Sequence, residues 1–147
     1  MPTQVATRQL PAVISTSALL GANNSYAGRV LADRNAGEAL AQWQVVLIGA
    51  SSTWLLADAD AAGKWPARGL AVAAVANGSP ALILRQGVVR FDTWAWTPNA
   101  NLYLSTTPGG ITATAPSGSG NVQQVIGWAI SATTVEFDFV TTYITKV

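Results

Sequence analysis

The stretch that decides the fold runs from residue 86 to residue 131 and reads QGVVRFDTWAWTPNANLYLSTTPGGITATAPSGSGNVQQVIGWAIS. Gly, Pro, Asn and Ser interrupt it every few residues, and the short runs between them are rich in Val, Ile, Trp and Tyr. Runs of this kind, bounded by turn residues, are typical of short antiparallel strands. Residues 93–134 carry no charge, but the interruptions exclude the run of about 20 apolar residues that a transmembrane helix needs.

Two tryptophans form the aromatic centre of this stretch. Trp94 and Trp96 lie two residues apart and alternate with small or hydroxyl-bearing residues. In a strand, both indoles would therefore project from one face. Because tryptophan offers a large flat surface at a low entropic cost, such a pair suits a contact with a partner as well as a core.

The chain contains six tryptophans, and their neighbours divide them into two groups. Three lie beside turns or in the paired stripe, while the other three lie in apolar runs. We expect contact residues at Trp65, Trp94 and Trp96, and core residues at Trp43, Trp54 and Trp128.

The composition excludes several classes of function. The 147 residues fit one domain, and 10% of them are charged, compared with about 25% in ordinary soluble proteins. The absence of His and Cys removes disulfides, thiol catalysis, the usual catalytic triads and the commonest metal ligands. A net charge of +1, spread along the chain, predicts neither nucleic-acid nor membrane binding. We therefore expect a non-enzymatic protein without a cofactor, which either exposes an unusually uncharged surface or covers much of it with a partner.

The remaining acidic residues do not form a convincing site. Asp58 and Asp60 have the spacing that opens many calcium loops, but the next residues are Ala, Ala, Gly and Lys, so we expect a solvated turn. Glu136 and Asp138 share one face of a predicted strand, and no acidic residue is predicted opposite them.

Short strands and turns alternate along most of the chain. Glu38–Gln44 also suits a helical turn, but we assign it to a strand because the β-branched run 44–48 continues it up to Gly49. Asn77-Gly78 predicts a tight hairpin, and Gly87 predicts a bulge or bend. Further strands are predicted at 26–32, 52–57, 68–76, 81–84, 88–92, 102–105, 111–114, 135–139 and 141–147.

About ten short strands and no helix predict an all-β protein, a single antiparallel β-barrel or sandwich domain spanning residues 26–147. Residues 1–25 are assigned to an extended N-terminal arm or edge segment, which carries one charge, Arg8. The segment either adds a strand to its own sheet or packs on another chain. A secretory signal is a weaker interpretation, because Pro11 and three hydroxyl residues dilute the apolar run. The residues expected to bind a partner are Leu10, Val13, Ile14, Leu19, Leu20, Trp65, Trp94 and Trp96.

Five segments carry a recognisable pattern of turns: ADADAAG (57–63), PARGLA (66–71), RQGVVRFDTWAWT (85–97), NLYLSTTPGGITATAPSGSG (101–120) and VQQVIGWAIS (122–131). Together they resemble a module that recurs in structural proteins of tailed bacteriophages. The resemblance covers residues 57–139 and leaves residues 1–56 outside it.

The resemblance implies a virion protein without catalytic residues. Its first implication is a capsid decoration (cement) protein, a homotrimer on the outer surface of the head that binds across subunits of the major capsid protein. An alternative is a glycan- or receptor-binding module of a phage tail or head fibre, and a third is a secreted carbohydrate-binding domain of cellular origin. The initial Met1 favours a small complete protein over a fibre fragment.

Overall fold

The computed structural model of the protein describes residues 21–139 and 142–147. These ranges form eleven β-strands and no helix, so the predicted all-β fold is confirmed, and no helix within them is long and apolar enough to cross a membrane. The strands are β1 (Ser25–Leu31), β2 (Val45–Ile48), β3 (Trp54–Leu56), β4 (Gly69–Ala71), β5 (Ile83–Arg90), β6 (Asn101–Leu104), β7 (Ile111–Thr112), β8 (Val122–Gln123), β9 (Val125–Ala129), β10 (Thr134–Asp138) and β11 (Ile144–Thr145).

The main sheet curls into a half-barrel with β5 at its centre. Its antiparallel order is β3-β2-β4-β5-β10-β9-β6-β7, and β1 also pairs with β5, whereas β11 and β8 form a separate two-stranded ladder. A strand has only two hydrogen-bonding edges. Since β1 pairs along the whole of β5, the other edge is shared by β4, opposite Ile83 and Leu84, and β10, opposite residues 86–90.

Alternation along the strands divides the apolar residues between two cores. On β2, Val45 and Leu47 belong to the main core, while Val46 belongs to a smaller cluster. On β5, Leu84 and Ile83 are divided in the same way. Successive side chains of a strand point to opposite faces, so this part of the sheet is covered on both faces.

The prediction of a strand at Glu38–Gln44 is wrong, because β2 begins only at Val45. The Gln44 side chain accepts a hydrogen bond from the Ala41 amide at 2.7 Å, and Trp43 has a φ of 65°. This combination closes a turn. The turn places the Trp43 side chain in the main core, and that burial outweighs the extended preference of the run.

The turn predicted at Asn77-Gly78 is present, but the strand before it is shorter and the connection wider than predicted. Gly78 supplies the positive φ of the turn, at 85°, and β4 pairs with β5. However, the strand predicted at 68–76 ends at Ala71. Residues 72–82 form a wide loop. The segment 35–40 lies between its two sides and forms an isolated bridge with each of them.

Gly87 does not break the strand as predicted, because β5 continues from Ile83 to Arg90. The irregularity lies two residues earlier, where the register shifts between Arg29 and Val30 and leaves Arg85 unpaired in the ladder. Gly87 instead faces Gly28 of β1, and a Cβ atom on Gly87 would lie 2.1 Å from the Ala27 carbonyl oxygen. The glycine therefore serves a close approach of two backbones.

Other predictions are met more closely. Val135 and Phe137 are buried, while Glu136 and Asp138 alternate with them at intermediate exposure, as expected for a strand with one face on the core. The turn at residues 108–110 joins β6 to β7. Residues 91–100, by contrast, form a loop in place of the strand predicted around Trp94 and Trp96.

Replacing Gly87 by alanine tests the close approach of β1 and β5. Gly87 has a φ of 151° and faces backbone atoms, whereas Gly63 has a φ of 77° and nothing within 4 Å of the point that a Cβ atom would occupy. We expect Gly63→Ala to cost about 1–2 kcal/mol from backbone strain alone. Gly87→Ala adds a steric overlap and should cost about 3 kcal/mol or more. Urea unfolding of both variants measures the difference, and equal losses would contradict the interpretation.

Candidate interaction surface

Seven aromatic side chains form a continuous group, here called the aromatic cluster. Neighbouring rings are 5.6 to 6.5 Å apart between centroids, mostly in tilted or edge-to-face geometry. Contacts of this kind add about 0.5–1.5 kcal/mol per pair beyond the area buried. The members are Tyr26, Trp43, Phe91, Trp94, Trp96, Phe137 and Phe139.

The first described residues are attached to this cluster. The Trp43 indole Nε1 donates to Asn24 Oδ1 at 3.3 Å, and the Asp92 amide donates to Asn23 Oδ1 at 2.9 Å. The Tyr26 ring meets the Trp43 ring edge-on at 6.1 Å. The start of the described chain, residues 23–26, is therefore anchored at the aromatic cluster.

The cluster is only partly covered by its own domain. Trp43 and Phe137 are buried, whereas Trp94, Trp96 and Phe139 are partly buried and Tyr26 is 37% exposed. The Trp96 indole Nε1 is buried and has no hydrogen-bond partner among the described residues. An unsatisfied buried donor costs about 1–3 kcal/mol, so the described residues by themselves leave this edge of the cluster incomplete.

The structure brings together two of the predicted contact residues and separates the third. Trp94 and Trp96 lie 6.2 Å apart between centroids, on one side of their loop as predicted, although the backbone is not a strand. Trp65 lies outside the cluster and packs partly buried on the main core. The five predicted contact residues of the arm lie outside the described residues: Leu10, Val13, Ile14, Leu19 and Leu20.

Of the three tryptophans that we expected in the core, two are found there. Trp43 and Trp54 are buried, but Trp128 is 37% exposed. Ile126 and Trp128 are two residues apart, so regular alternation would bury both, but the register with β6 shifts between Val125 and Gly127. After the shift, Gly127 and Ala129 are buried and Trp128 lies on the exposed face. There it stands opposite Glu136 of β10. Trp128 is therefore a surface residue, and the apolar composition of its strand concealed this.

Gln124 holds the segment around Trp65 in place, a role that the sequence did not indicate. Its side chain is fully buried. Its Oε1 accepts from the Ala67 amide at 2.7 Å, and its Nε2 donates to the Ala67 carbonyl at 3.0 Å. A glutamine inside the apolar run 122–131 was the available signal, because a buried amide needs partners.

Asp58 and Asp60 lie in a turn as predicted, but Asp58 is only 9% exposed and is thus not the solvated residue we expected. The Asp60 amide donates to Asp58 Oδ1 at 3.2 Å. Burial raises the pKa of the Asp58 carboxyl, and its side-chain hydrogen bond with Asp60 raises it further. No cluster of three potential metal ligands occurs in the part of the chain that the structure describes.

A second concave surface, here called the tyrosine groove, lies beside the β8–β11 ladder. It has a volume of about 360 Å³ and combines apolar side chains with hydroxyl and amide groups. It is lined by Tyr103, Gln123, Val125, Thr142, Tyr143 and Ile144. Aromatic rings next to hydrogen-bonding groups are the usual components of a small-ligand site.

Comparisons with known proteins found no family model, no curated protein and no solved structure that matches this chain. The resemblance to tailed-phage structural proteins therefore stays a prediction from the motifs at residues 57–131.

Replacing Gln124 by leucine should destabilise the domain by about 2–4 kcal/mol. The change keeps a side chain of similar size but removes both hydrogen bonds to Ala67, and each buried backbone group left unpaired costs about 1–3 kcal/mol. The matched control is Gln123→Leu, which loses one bond to the Pro116 carbonyl at a partly buried position. Urea unfolding should show a clearly smaller loss for Gln123→Leu. A similar loss for both variants would contradict the assigned role of Gln124.

Proposed function

We propose that this chain is a non-enzymatic structural protein of a tailed-bacteriophage virion, a decoration (cement) protein on the outer surface of the capsid. It acts as a homotrimer that binds across subunits of the major capsid protein, without nucleic acid, membrane or cofactor. The motifs at residues 57–131 support the phage assignment. The observation that carries the contact function is the half-covered aromatic cluster at the point where the N-terminal segment joins the domain.

The aromatic cluster suits burial against another chain. Partly buried tryptophans, with a tyrosine beside them, are the residues most often found at interface hot spots. The Nε1 of Trp96, which no described residue pairs, adds a donor that an acceptor of a partner can pair after a small rotation of the indole. We assign this surface to self-association, because in a closed trimer the aromatic cluster of each chain would be covered by the neighbouring chain.

The mechanism is a shift of equilibrium by binding. A protein that binds the assembled shell but not the free capsid subunits stabilises the shell by an amount that grows with its concentration relative to the dissociation constant. No chemical step is required. The strength of the effect depends on the apolar area that each decoration protein buries on several capsid subunits at once.

The segment of residues 1–20 is proposed as the tether to the capsid. It carries only Arg8 as a charged residue, and ordering it costs about 1–2 kcal/mol per residue in backbone entropy. Apolar contacts along its length would have to offset this cost. Its attachment point, Asn23 and Asn24, is fixed on the aromatic cluster, so the tether would begin from a defined position on the body.

A second candidate function is glycan or receptor binding in a tail or head fibre. The tyrosine groove favours it, since Tyr143 is 41% exposed there. Trp128 is also exposed, and its strand β9 pairs with the β6 strand that carries Tyr103. Exposed aromatic rings of this kind can stack on the faces of ligands, while Gln123 and Thr142 supply hydrogen bonds.

Sedimentation equilibrium of Trp94→Ala tests the assignment of the aromatic cluster. We expect a trimer for the natural sequence at roughly tens of micromolar and a shift of about 2 kcal/mol or more toward monomer for the variant. Trp128→Ala is the control, because Trp128 lies outside the cluster. Trp96→Phe retains an aromatic ring and removes the Nε1 donor, so a weaker trimer with unchanged urea stability would assign that donor to the interface. A monomeric natural protein would contradict the proposal.

Deleting residues 1–20 tests the tether. The shortened protein should keep its fold and its oligomeric state but lose co-sedimentation with shells of the major capsid protein. Binding by the full chain should depend only weakly on salt, because hardly any charge is involved. If the shortened protein unfolds, or still binds shells as well as the full chain, the tether is ruled out. If Trp128→Ala abolishes binding to host glycans, and neither form binds shells, the fibre function replaces the decoration function.

A further inference from the structure

Four of the eight lysine and arginine residues gather in one place, although the sequence suggested scattered charges. Arg29 lies on β1, Arg34 in the segment that follows it, Arg68 just before β4 and Arg85 on β5. The positive charges of Arg29, Arg34 and Arg68 are all close enough to lower the pKa of Arg85. We call this group the arginine cluster, and its existence corrects the expectation that the chain has no basic patch.

Two of these arginines cover a tryptophan of the smaller core. The guanidinium carbons of Arg34 and Arg85 lie 5.4 and 5.0 Å from the centroid of the Trp54 ring, within the range of cation–π attraction. Trp54 itself is fully buried. The guanidinium groups are thus held in place by packing.

The cluster carries an excess of positive charge. Burial lowers the pKa of the Arg85 guanidinium, and Arg29, Arg34 and Arg68 lower it further, while Asp33 has the opposite effect. Asp33 forms an ion pair with Arg34 at 2.9 Å. Arginine stays protonated at neutral pH, so four cations and this aspartate leave a net positive surface.

The arginine cluster also has unfilled hydrogen-bonding capacity. Arg34 Nε and Arg85 Nη1 are buried and have no hydrogen-bond partner within the described ranges. An unpaired polar group of this kind is costly. A nearby anion would offset the repulsion among the arginines, and it could pair with these two donors once the guanidinium groups rotate toward it. Arg29 is exposed and Arg68 partly exposed, so an anion can approach.

We propose that the arginine cluster binds a carboxylate-bearing segment of a partner protein. The planar guanidinium group pairs with a carboxylate through two parallel hydrogen bonds. Nucleic acid fits less well. Trp54, the tryptophan beneath the arginine cluster, is fully buried and offers no ring on which bases can stack.

The position of the cluster separates it from the aromatic surface. The β1–β5 ladder runs from the pair Ser25–Arg90, near the aromatic cluster, to the pair Leu31–Ile83, near Arg34 and Arg85. Arg29 lies only three residues from Tyr26 of the aromatic cluster, about 10 Å along β1, but the odd spacing places the two side chains on opposite faces of the sheet. A chain that associates through the aromatic cluster therefore keeps its arginine cluster free for another partner. This inference does not rest on the proposed capsid function.

Titration of the full chain with an acidic peptide tests the proposal. The probe is a decapeptide of alternating Asp and Gly, added at low salt and followed by NMR and isothermal titration calorimetry. We expect saturable binding that moves the Trp54 indole signal and weakens as salt is raised. The double variant Arg29→Gln, Arg68→Gln should weaken binding at least about tenfold, since two of the four charges are lost. It leaves Arg34 and Arg85 in place over Trp54.

Two controls decide the interpretation. Lys146→Gln removes a positive charge elsewhere and should leave peptide binding within about twofold, because screening confines the effect of a distant exposed charge. An oligothymidylate of the same total charge should bind more weakly than the peptide. The proposal is overturned if the peptide does not bind, if Lys146→Gln weakens binding as much as the double variant, or if the oligothymidylate binds more tightly. Because no capsid shell is used, these outcomes are independent of the decoration function.

Discussion

The contact between Gly28 and Gly87 is the constraint on which two candidate surfaces depend, the aromatic cluster and the arginine cluster. Their backbones approach so closely that a Cβ atom on either residue would lie 2.1 Å from a carbonyl oxygen of the opposite strand. This contact lies in the middle of the β1–β5 ladder, the longest strand pairing of the described chain. On one side of it β1 begins at the aromatic cluster, and on the other side it leads to the arginine cluster.

The unsatisfied groups of the domain are concentrated at these two ends. The buried side-chain donors without a partner, among the residues described, belong to Arg34, Trp54, Arg85 and Trp96. Three of them lie in or under the arginine cluster, and the fourth lies in the aromatic cluster. Elsewhere a buried polar side chain such as Gln124 is paired. Sites where a fold departs from its own packing rules are often functional, which supports contact roles for both surfaces.

Local patterns were sufficient for much of the fold. The alternation at residues 135–139 predicted strand β10, and the runs at 102–105 and 111–114 predicted β6 and β7, because both depend on neighbours in the sequence. The errors occurred where distant residues decide the conformation. Glu38–Gln44 turns because Trp43 is drawn into the core, and Trp128 is exposed because the register of β9 with β6 shifts at Ile126.

By itself, the sequence determined that this is an all-β protein with few charges, many tight turns and an aromatic pair on one side of the chain. These properties follow from composition and from spacing over a few residues. Only the tertiary structure decided which residues gather: Gln124 with Ala67, Trp54 under two arginines, and four arginines from separate segments at one end of β1. The reason is that strand register brings together positions far apart in the chain, and no local pattern specifies that register.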